Sequence, residues 1–403
     1  RKVDRSVTGL VARQQCCGPM QVPVADVAVT ADGYFGLTGA AVAIGEQPVK
    51  MLIAPDKGAR MAVAEMITNL ASAKISQLPD VKCRANWMWA AKRPSEGAQL
   101  YDAAVALRGI CLSLGIAIDG GKDSLSMATM IGDDLVVSPG ELVIMGYAPV
   151  PDITKVATPD FKGDGLIGLI DLGNGKNRLG GSSLAQMFGQ IGNDPPDIDD
   201  PDLLKRAFEA VQELIEKDLI TAYHDRSDGG LITAIAEMCI AGNCGARLHI
   251  FDWSTIPTLF SEEAGMIFEC KRSSWNAVME VLRGFGVPSL LMGNTNREQK
   301  ELQITKSGAS CVFSQSVLQL RQSWEATSTE LEKLQANPEM VQAESESHAV
   351  EAEVDYRLSF TPRPAASYAK SRRPKVAVVR EEGTNGDREM AAALYSGGLD
   401  PWD

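Results

Sequence analysis

The chain is short of histidine, of aromatic residues and of clustered cysteine, and each shortage removes a class of function. Three histidines occur in 403 residues, His224, His249 and His348, and no cysteine carries a neighbouring histidine signal. A self-contained Cys–His nucleophilic site is therefore not expected. The eight cysteines are scattered: Cys16 and Cys17 are adjacent, Cys239 and Cys244 flank a helix end, and none has metal-ligand spacing. That pattern reads as free thiols in a reducing, cytoplasmic setting. No apolar run approaches the roughly 18 residues that span a bilayer. Lys and Arg (39) are outnumbered by Asp and Glu (52), for a net charge of -13. Nucleic acids and anionic membranes call for a basic face, so neither is an expected partner. An acidic chain can still hold phosphates through local cations and metal ions.

What is present is an ordinary apolar share, 45%, over a length that allows two to three domains with their own cores. Short apolar runs alternate with helical periodicity, which reads as α/β (α+β type). Residues 1–150 form a first block, with strands expected over 21–29, 34–44, 116–118 and 141–147 and helices over 57–72 and 97–114. Residues 151–317 form a second, with strands over 166–170, 219–223, 247–250 and 266–269 and helices over 203–217 and 273–284. Residues 318–374 read as an acidic helical segment and a linker, and residues 375–403 as a strand, turn and helix. A start at Arg1 and an end inside that last pattern point to a piece of a longer polypeptide.

The stretch with most chemistry is His224-Asp225-Arg226-Ser227-Asp228-Gly229-Gly230. It joins a strand to a helix whose stripe is Leu231, Ile235, Met238 and Cys239, with a stop at Gly242-Asn243. Ser227 or Asp228 is placed to cap that helix, and the glycines allow close backbone approach to a ligand. Two carboxylates beside helix-start N–H groups suit a cation next to a bound anion, as in a metal-nucleotide. Taken alone, the stretch favours an ordinary capped turn. Asp26 falls in the apolar run 21–29, where a carboxylate must pair, neutralise or bind a cation. Glu65 and Asn69, four apart, share one helical face. Together with Asp225 they make a set of hard oxygen ligands suited to Mg²⁺. Gly120-Gly121-Lys122-Asp123-Ser124 is glycine-rich but no Walker A motif, since Ile116 stands where that motif needs Gly and Asp123 where it needs Ser or Thr. It reads as a turn able to hold a phosphate ester, or simply as an exposed polar turn.

In chain order, Asp4-Arg5-Ser6-Val7-Thr8-Gly9-Leu10, Val22-Pro23-Val24-Ala25-Asp26, Asn86-Trp87-Met88, residues 120–127, residues 224–230 and residues 380–390 resemble the large, single-chain phosphoribosylformylglycinamidine synthases. The resemblance implies aminoimidazole-ribonucleotide-synthetase-like N- and C-terminal subdomains, followed by the start of a class I glutaminase. It implies an ATP-dependent ligase of purine biosynthesis that turns formylglycinamide ribonucleotide into its amidine with glutamine-derived ammonia. By matching positions it makes Asp26, Glu65, Asn69 and Asp225 Mg²⁺ ligands and places Ala25 and Ser227 against a nucleotide, ADP at an auxiliary structural site. It places Gly121 near ATP and Lys122 and Ser124 near the substrate, Lys122 standing where small-subunit relatives have a metal-ligating Asn. The synthetase His and the glutaminase Cys, His and Glu would lie outside this chain, in a first synthetase unit and in the rest of the glutaminase. Two rivals remain: a non-catalytic nucleotide-binding scaffold, and another ATP-dependent enzyme of the same superfamily, such as a selenophosphate synthetase or hydrogenase-maturation protein.

Overall fold

The computed structural model describes residues 10–250, 255–306, 311–349, 357–361 and 373–402. The chain divides into two compact units, Arg1–Ala352 and Glu353–Asp403. Among the described residues no helix is long and apolar enough to cross a membrane.

The first half of the larger unit is a six-stranded sheet. Its strands are β1 (Leu10–Arg13), β2 (Ala28–Ala31), β3 (Gly39–Glu46), β4 (Lys82–Met88) and β5 (Ala117–Ser124), with β8 (Glu141–Val150) inserted between β3 and β4. A separate hairpin, β6 (Ala128–Ile131) and β7 (Asp134–Val137), precedes β8. Three helices follow the strands: α1 (Pro48–Ile53), α2 (Pro55–Leu70) and α3 (Glu96–Leu114). The α3 crossover makes β4 and β5 parallel, while the other pairings are antiparallel. In α2, Val63, Met66, Ile67 and Leu70 recur at helical spacing and are fully buried, and Ala59, Ala62 and Ala64 are buried with them. Burial alternates along β3 and β8, so helices cover one sheet face and leave Ile44 and Glu46 on the other.

The second half is a seven-stranded mixed sheet. Along the chain it comprises β9 (Gly165–Asp171), β10 (Ala222–Asp225), β11 (Gly245–Ile250), β12 (Gly265–Lys271), β13 (Leu290–Asn296), β14 (Glu301–Lys306) and β15 (Cys311–Ser316). Its helices are α4 (Ser183–Met187), α5 (Pro201–Glu216), α6 (Gly230–Gly242), α7 (Thr255–Phe260), α8 (Trp275–Gly284), α9 (Val317–Glu332) and α10 (Pro338–Ser347). Several links weld the halves, two of them through α5 and β10. Gln212 of α5 accepts from Ile75 N and donates to the carbonyls of Ala71 and Ala73, and the Tyr223 hydroxyl of β10 donates to Thr68 O at 2.7 Å. Leu204, Phe208 and Val211 share one core with α2 and α3. The smaller unit is a βαβ element: β16 (Lys375–Ala377) pairs in parallel with β17 (Asp400–Trp402) across α11 (Asp387–Ser396).

Three local expectations are corrected. The run 21–29 is not one strand; β2 begins at Ala28, and Asp26 sits in a bend before it. Gln21 turns the chain with φ 50°, and Pro23, lacking an N–H, cannot extend a ladder. Residues 120–124 are not a turn but the edge strand β5, paired with β4. A Cβ on Gly121 would stand 2.0 Å from the Ala85 carbonyl oxygen, so the glycine serves close strand approach. The strand expected over 219–223 lies instead at Ala222–Asp225, which carries His224 and Asp225 into the sheet. Of the motif at 4–10, residues 4–9 lie outside the described residues, as do most of 360–373.

Candidate metal and nucleotide site

A cavity of about 540 Å³ opens where the two halves meet, and Ala25, Asp26, Asn69, His224, Asp225 and Ser227 line it. Each arrives by a different device: Ala25 and Asp26 from the bend, Asn69 from the last turn of α2, His224 and Asp225 from the end of β10, Ser227 from the turn after it. Antiparallel pairing of β10 with β12, Asp225 opposite Met266, sets the strand's depth. The Tyr223 bond to Thr68 then holds β10 against the helix that bears Asn69.

Asp26 and Asp225 are almost fully enclosed, with side chains 2% and 4% exposed. Asp26 Oδ1 lies 2.6 Å from His224 Nδ1, while its Oδ2 is buried without a partner. Oxygens of both aspartates and a nitrogen of His224 lie within 4.8 Å of one another. Asn69 donates its amide N–H to Ile44 O at 2.9 Å, which turns its amide oxygen to other uses. Glu65 does not line the cavity; its Oε2 accepts from Glu46 N (2.9 Å) and from the Gln47 side chain (2.8 Å). Its charge still reaches Asp225.

The electrostatics are those of crowded, desolvated acids. Burial pushes Asp26 up, partly opposed by His224. Burial and then the Asp26 charge hold Asp225 well above the carboxylate range. Glu65 is pushed up to about 7 by burial, against the two hydrogen bonds it accepts. Burial alone would lower His224, but the charge and hydrogen bond of Asp26, with Glu237 on the other ring nitrogen, raise it well above its usual value. A divalent cation would relieve this crowding, and the orphaned Asp26 oxygen beside Asp225, in a cavity that Asn69 also lines, offers donors suited to a hard metal.

The turn after β10 differs from its expected design. The helix is capped by Gly229, not by a Ser227 or Asp228 side chain, with φ of 80° at Gly229 and 74° at Gly230. The Gly229 N–H donates to Glu262 Oε1 at 2.8 Å, and that carboxylate also receives Ser183 N and Lys50 Nζ, each at 2.7 Å. Arg226 points inward, donating to Glu263 O and to Asp171 Oδ1, both at 2.6 Å. Lys50 and Glu262 are both buried and hold the turn from opposite halves of the unit.

Gly121, Lys122 and Ser124 lie elsewhere, on exposed β5 outside the cavity, with Lys122 Nζ donating to Ser124 Oγ at 2.6 Å. Sequence reasoning overlooked His224 as a site member, and with it Glu237, Trp324, Lys50 and Glu262. His224 stood inside the recognised motif, so its signal was available; the others are hundreds of residues from their partners or on helices with no motif.

Residues 1–149 match the family model "FGAR-AT PurM_N-like domain", and residues 162–303 match "AIR synthase related protein, C-terminal domain". Along its whole length the chain is 50% identical to the probable phosphoribosylformylglycinamidine synthase, chloroplastic/mitochondrial, of Arabidopsis thaliana, covering 29% of that protein. It is 46% identical to phosphoribosylformylglycinamidine synthase of Homo sapiens, covering 31%. Among solved structures, T. maritima PurL complexed with FGAR is similar with a TM-score of 0.60 at 15% identity, over 87% of this chain and 51% of that one. T. maritima PurL complexed with ATP gives 0.56 at 17% identity, over 86% and 50%. At such identities these two likenesses speak for the fold alone. Along its full length, then, the chain is similar to phosphoribosylformylglycinamidine synthases and carries the two matched domains in succession, as a stretch that spans 29% of the plant relative and 31% of the human one.

Proposed function

We propose that this chain is the part of an ATP-dependent amidotransferase that holds a Mg²⁺-nucleotide and forms one wall of the synthetase site. The complete polypeptide would convert formylglycinamide ribonucleotide to formylglycinamidine ribonucleotide, with ammonia drawn from glutamine. The observation that carries the reading is the buried, unpartnered Asp26 Oδ2, beside Asp225 and Asn69 in a cavity large enough for a nucleotide. Asp26, Asp225 and Asn69 would hold the cation, with Glu65 behind them fixing the negative field. Ala25 and Ser227 would lie along the phosphates. Mg²⁺ supplies charge neutralisation for phosphate oxygens when bound. His224 keeps one Asp26 oxygen engaged and leaves the other for the ligand.

Lys122, Ser124 and Gly121, exposed on β5, would face formylglycinamide ribonucleotide and ATP contributed from the first synthetase unit. The βα start at residues 375–402 would open the glutaminase. Calorimetric titration of the full-length polypeptide with Mg²⁺·ADP tests the reading. Binding that Asp225→Asn weakens by about 100-fold supports it; parent-like binding by that variant refutes it. The scaffold reading gains from the separation of Lys122 and Ser124 from the cavity. Turnover unchanged in both Lys122→Ala and Ser124→Ala would favour it.

A further inference from the structure

One wall of the cavity comes from a segment to which the sequence assigns no chemistry. Trp324, on α9, lines the cavity together with Asp26 and Asp225. Its indole Nε1 donates to Glu237 Oε1 at 2.8 Å. The other Glu237 oxygen, Oε2, lies 3.2 Å from His224 Nε2, and His224 Nδ1 lies 2.6 Å from Asp26 Oδ1. The chain of contacts ends at Asp26 Oδ2, which is buried and unpartnered. Four side chains from α9, α6, β10 and the bend before β2 are thus joined in series.

Each link restricts the next. Asp26 shares one oxygen with an imidazole, which fixes the carboxylate plane and hence where Oδ2 points. His224 has a carboxylate on each ring nitrogen and cannot rotate without giving up both contacts. Glu237 is the loosest member, its side chain 21% exposed against 8% for His224 and 2% for Asp26. Water competes for Glu237, and the Trp324 N–H is what ties it down.

We propose that Trp324 is a positioning residue for the cation site, acting through Glu237 and His224 to aim Asp26 Oδ2 into the cavity, so that α9 sets the affinity for divalent metal. The proposal rests on Asp26 and Asp225 being ligands. Trp324→Phe keeps a smaller apolar ring in the wall and removes the donor N–H, and Glu237→Gln, which removes no volume, alters the next link. Mn²⁺ titrated into the full-length polypeptide and followed by its spin resonance reports the site directly. Outer-shell partners of a ligand commonly change metal affinity by about 10-fold or more, and both variants should weaken Mn²⁺ binding by that factor. The melting temperature of Trp324→Phe in EDTA should stay close to the parent's. A purely packing role would lower that melting temperature and leave the Mn²⁺ titration where it was, which overturns the proposal. Glu237→Gln decides the matter if Trp324→Phe fails to fold. Asp225→Asn separates the two levels. Loss of Mn²⁺ in Asp225→Asn with parent-like binding in both relay variants defeats the relay alone. Parent-like binding in Asp225→Asn defeats the metal site and the relay with it.

Discussion

Glu269 and Asp26 are both acids shut away from water, and they are treated in opposite ways. Glu269, on β12, has 0% exposure and accepts four hydrogen bonds, from Lys162 N, Gly163 N, Thr221 Oγ1 and Thr295 Oγ1. No cation is needed there because protein donors replace water on both oxygens. Asp26 has a side chain only 2% exposed but has its hydrogen bond on one oxygen only. Burial alone therefore does not nominate a functional acid; lone pairs left over after the protein's own donors are counted do. Glu262 belongs with Glu269, since Lys50, Ser183 and Gly229 consume its oxygens.

The contrast can be broken most forcefully at its saturated end. Glu269→Ala strands two backbone N–H groups and two hydroxyls, and should cost about 4 kcal/mol of stability. Urea unfolding with and without Mg²⁺·ADP should show the same loss in both conditions. Asp225→Asn, at the unsaturated end, should cost binding instead: about 2.7 kcal/mol of Mg²⁺·ADP affinity by calorimetry, or 100-fold. Its melting temperature in EDTA should match or exceed the parent's, because a neutral amide replaces an acid whose charged form burial and Asp26 disfavour. An EDTA melt well below the parent's would place Asp225 with Glu269 and erase the distinction. Mg²⁺·ADP at 100 times its Kd should stabilise the parent by about 2.7 kcal/mol, and Asp225→Asn should lose most of that gain. A smaller effect is expected on β5. Gly121→Ala forces a Cβ toward the Ala85 carbonyl and should cost about 2 kcal/mol, read from the unfolding midpoint. Lys122→Ala, on the exposed strand, should shift stability by less than about 0.5 kcal/mol. Its value lies in turnover of the full-length polypeptide, which falls if this strand is a substrate wall.

Periodicity located most elements: α5 is long and strongly patterned, and α2 and α3 are long enough for their apolar positions to mark them. The expected helices over 57–72, 97–114 and 203–217 differ from α2, α3 and α5 by a few residues at their ends. Glycine misled at residues 120–124, where it serves strand contact and not a turn, because composition does not distinguish the two uses. The cap of α6 was misassigned for a related reason. Ser227 and Asp228 have the right chemistry nearby, but Glu262 reaches the N–H first from a loop before β12. Trp324 had no local signal whatever; its importance comes from the packing of α9 beside α6.

The amino-acid sequence by itself determined which segments could bury an apolar face, and it placed oxygen-bearing side chains at positions 26, 65, 69 and 225. Those are local matters of side-chain type and spacing, readable within a few helical turns. Only the tertiary structure decided that Asp26, Asn69 and Asp225 share one cavity, that Glu65 stands behind it, and that His224 engages one Asp26 oxygen while leaving the other bare. Whether a carboxylate is saturated depends on donors that arrive from distant parts of the chain, and that census exists only once the chain has folded.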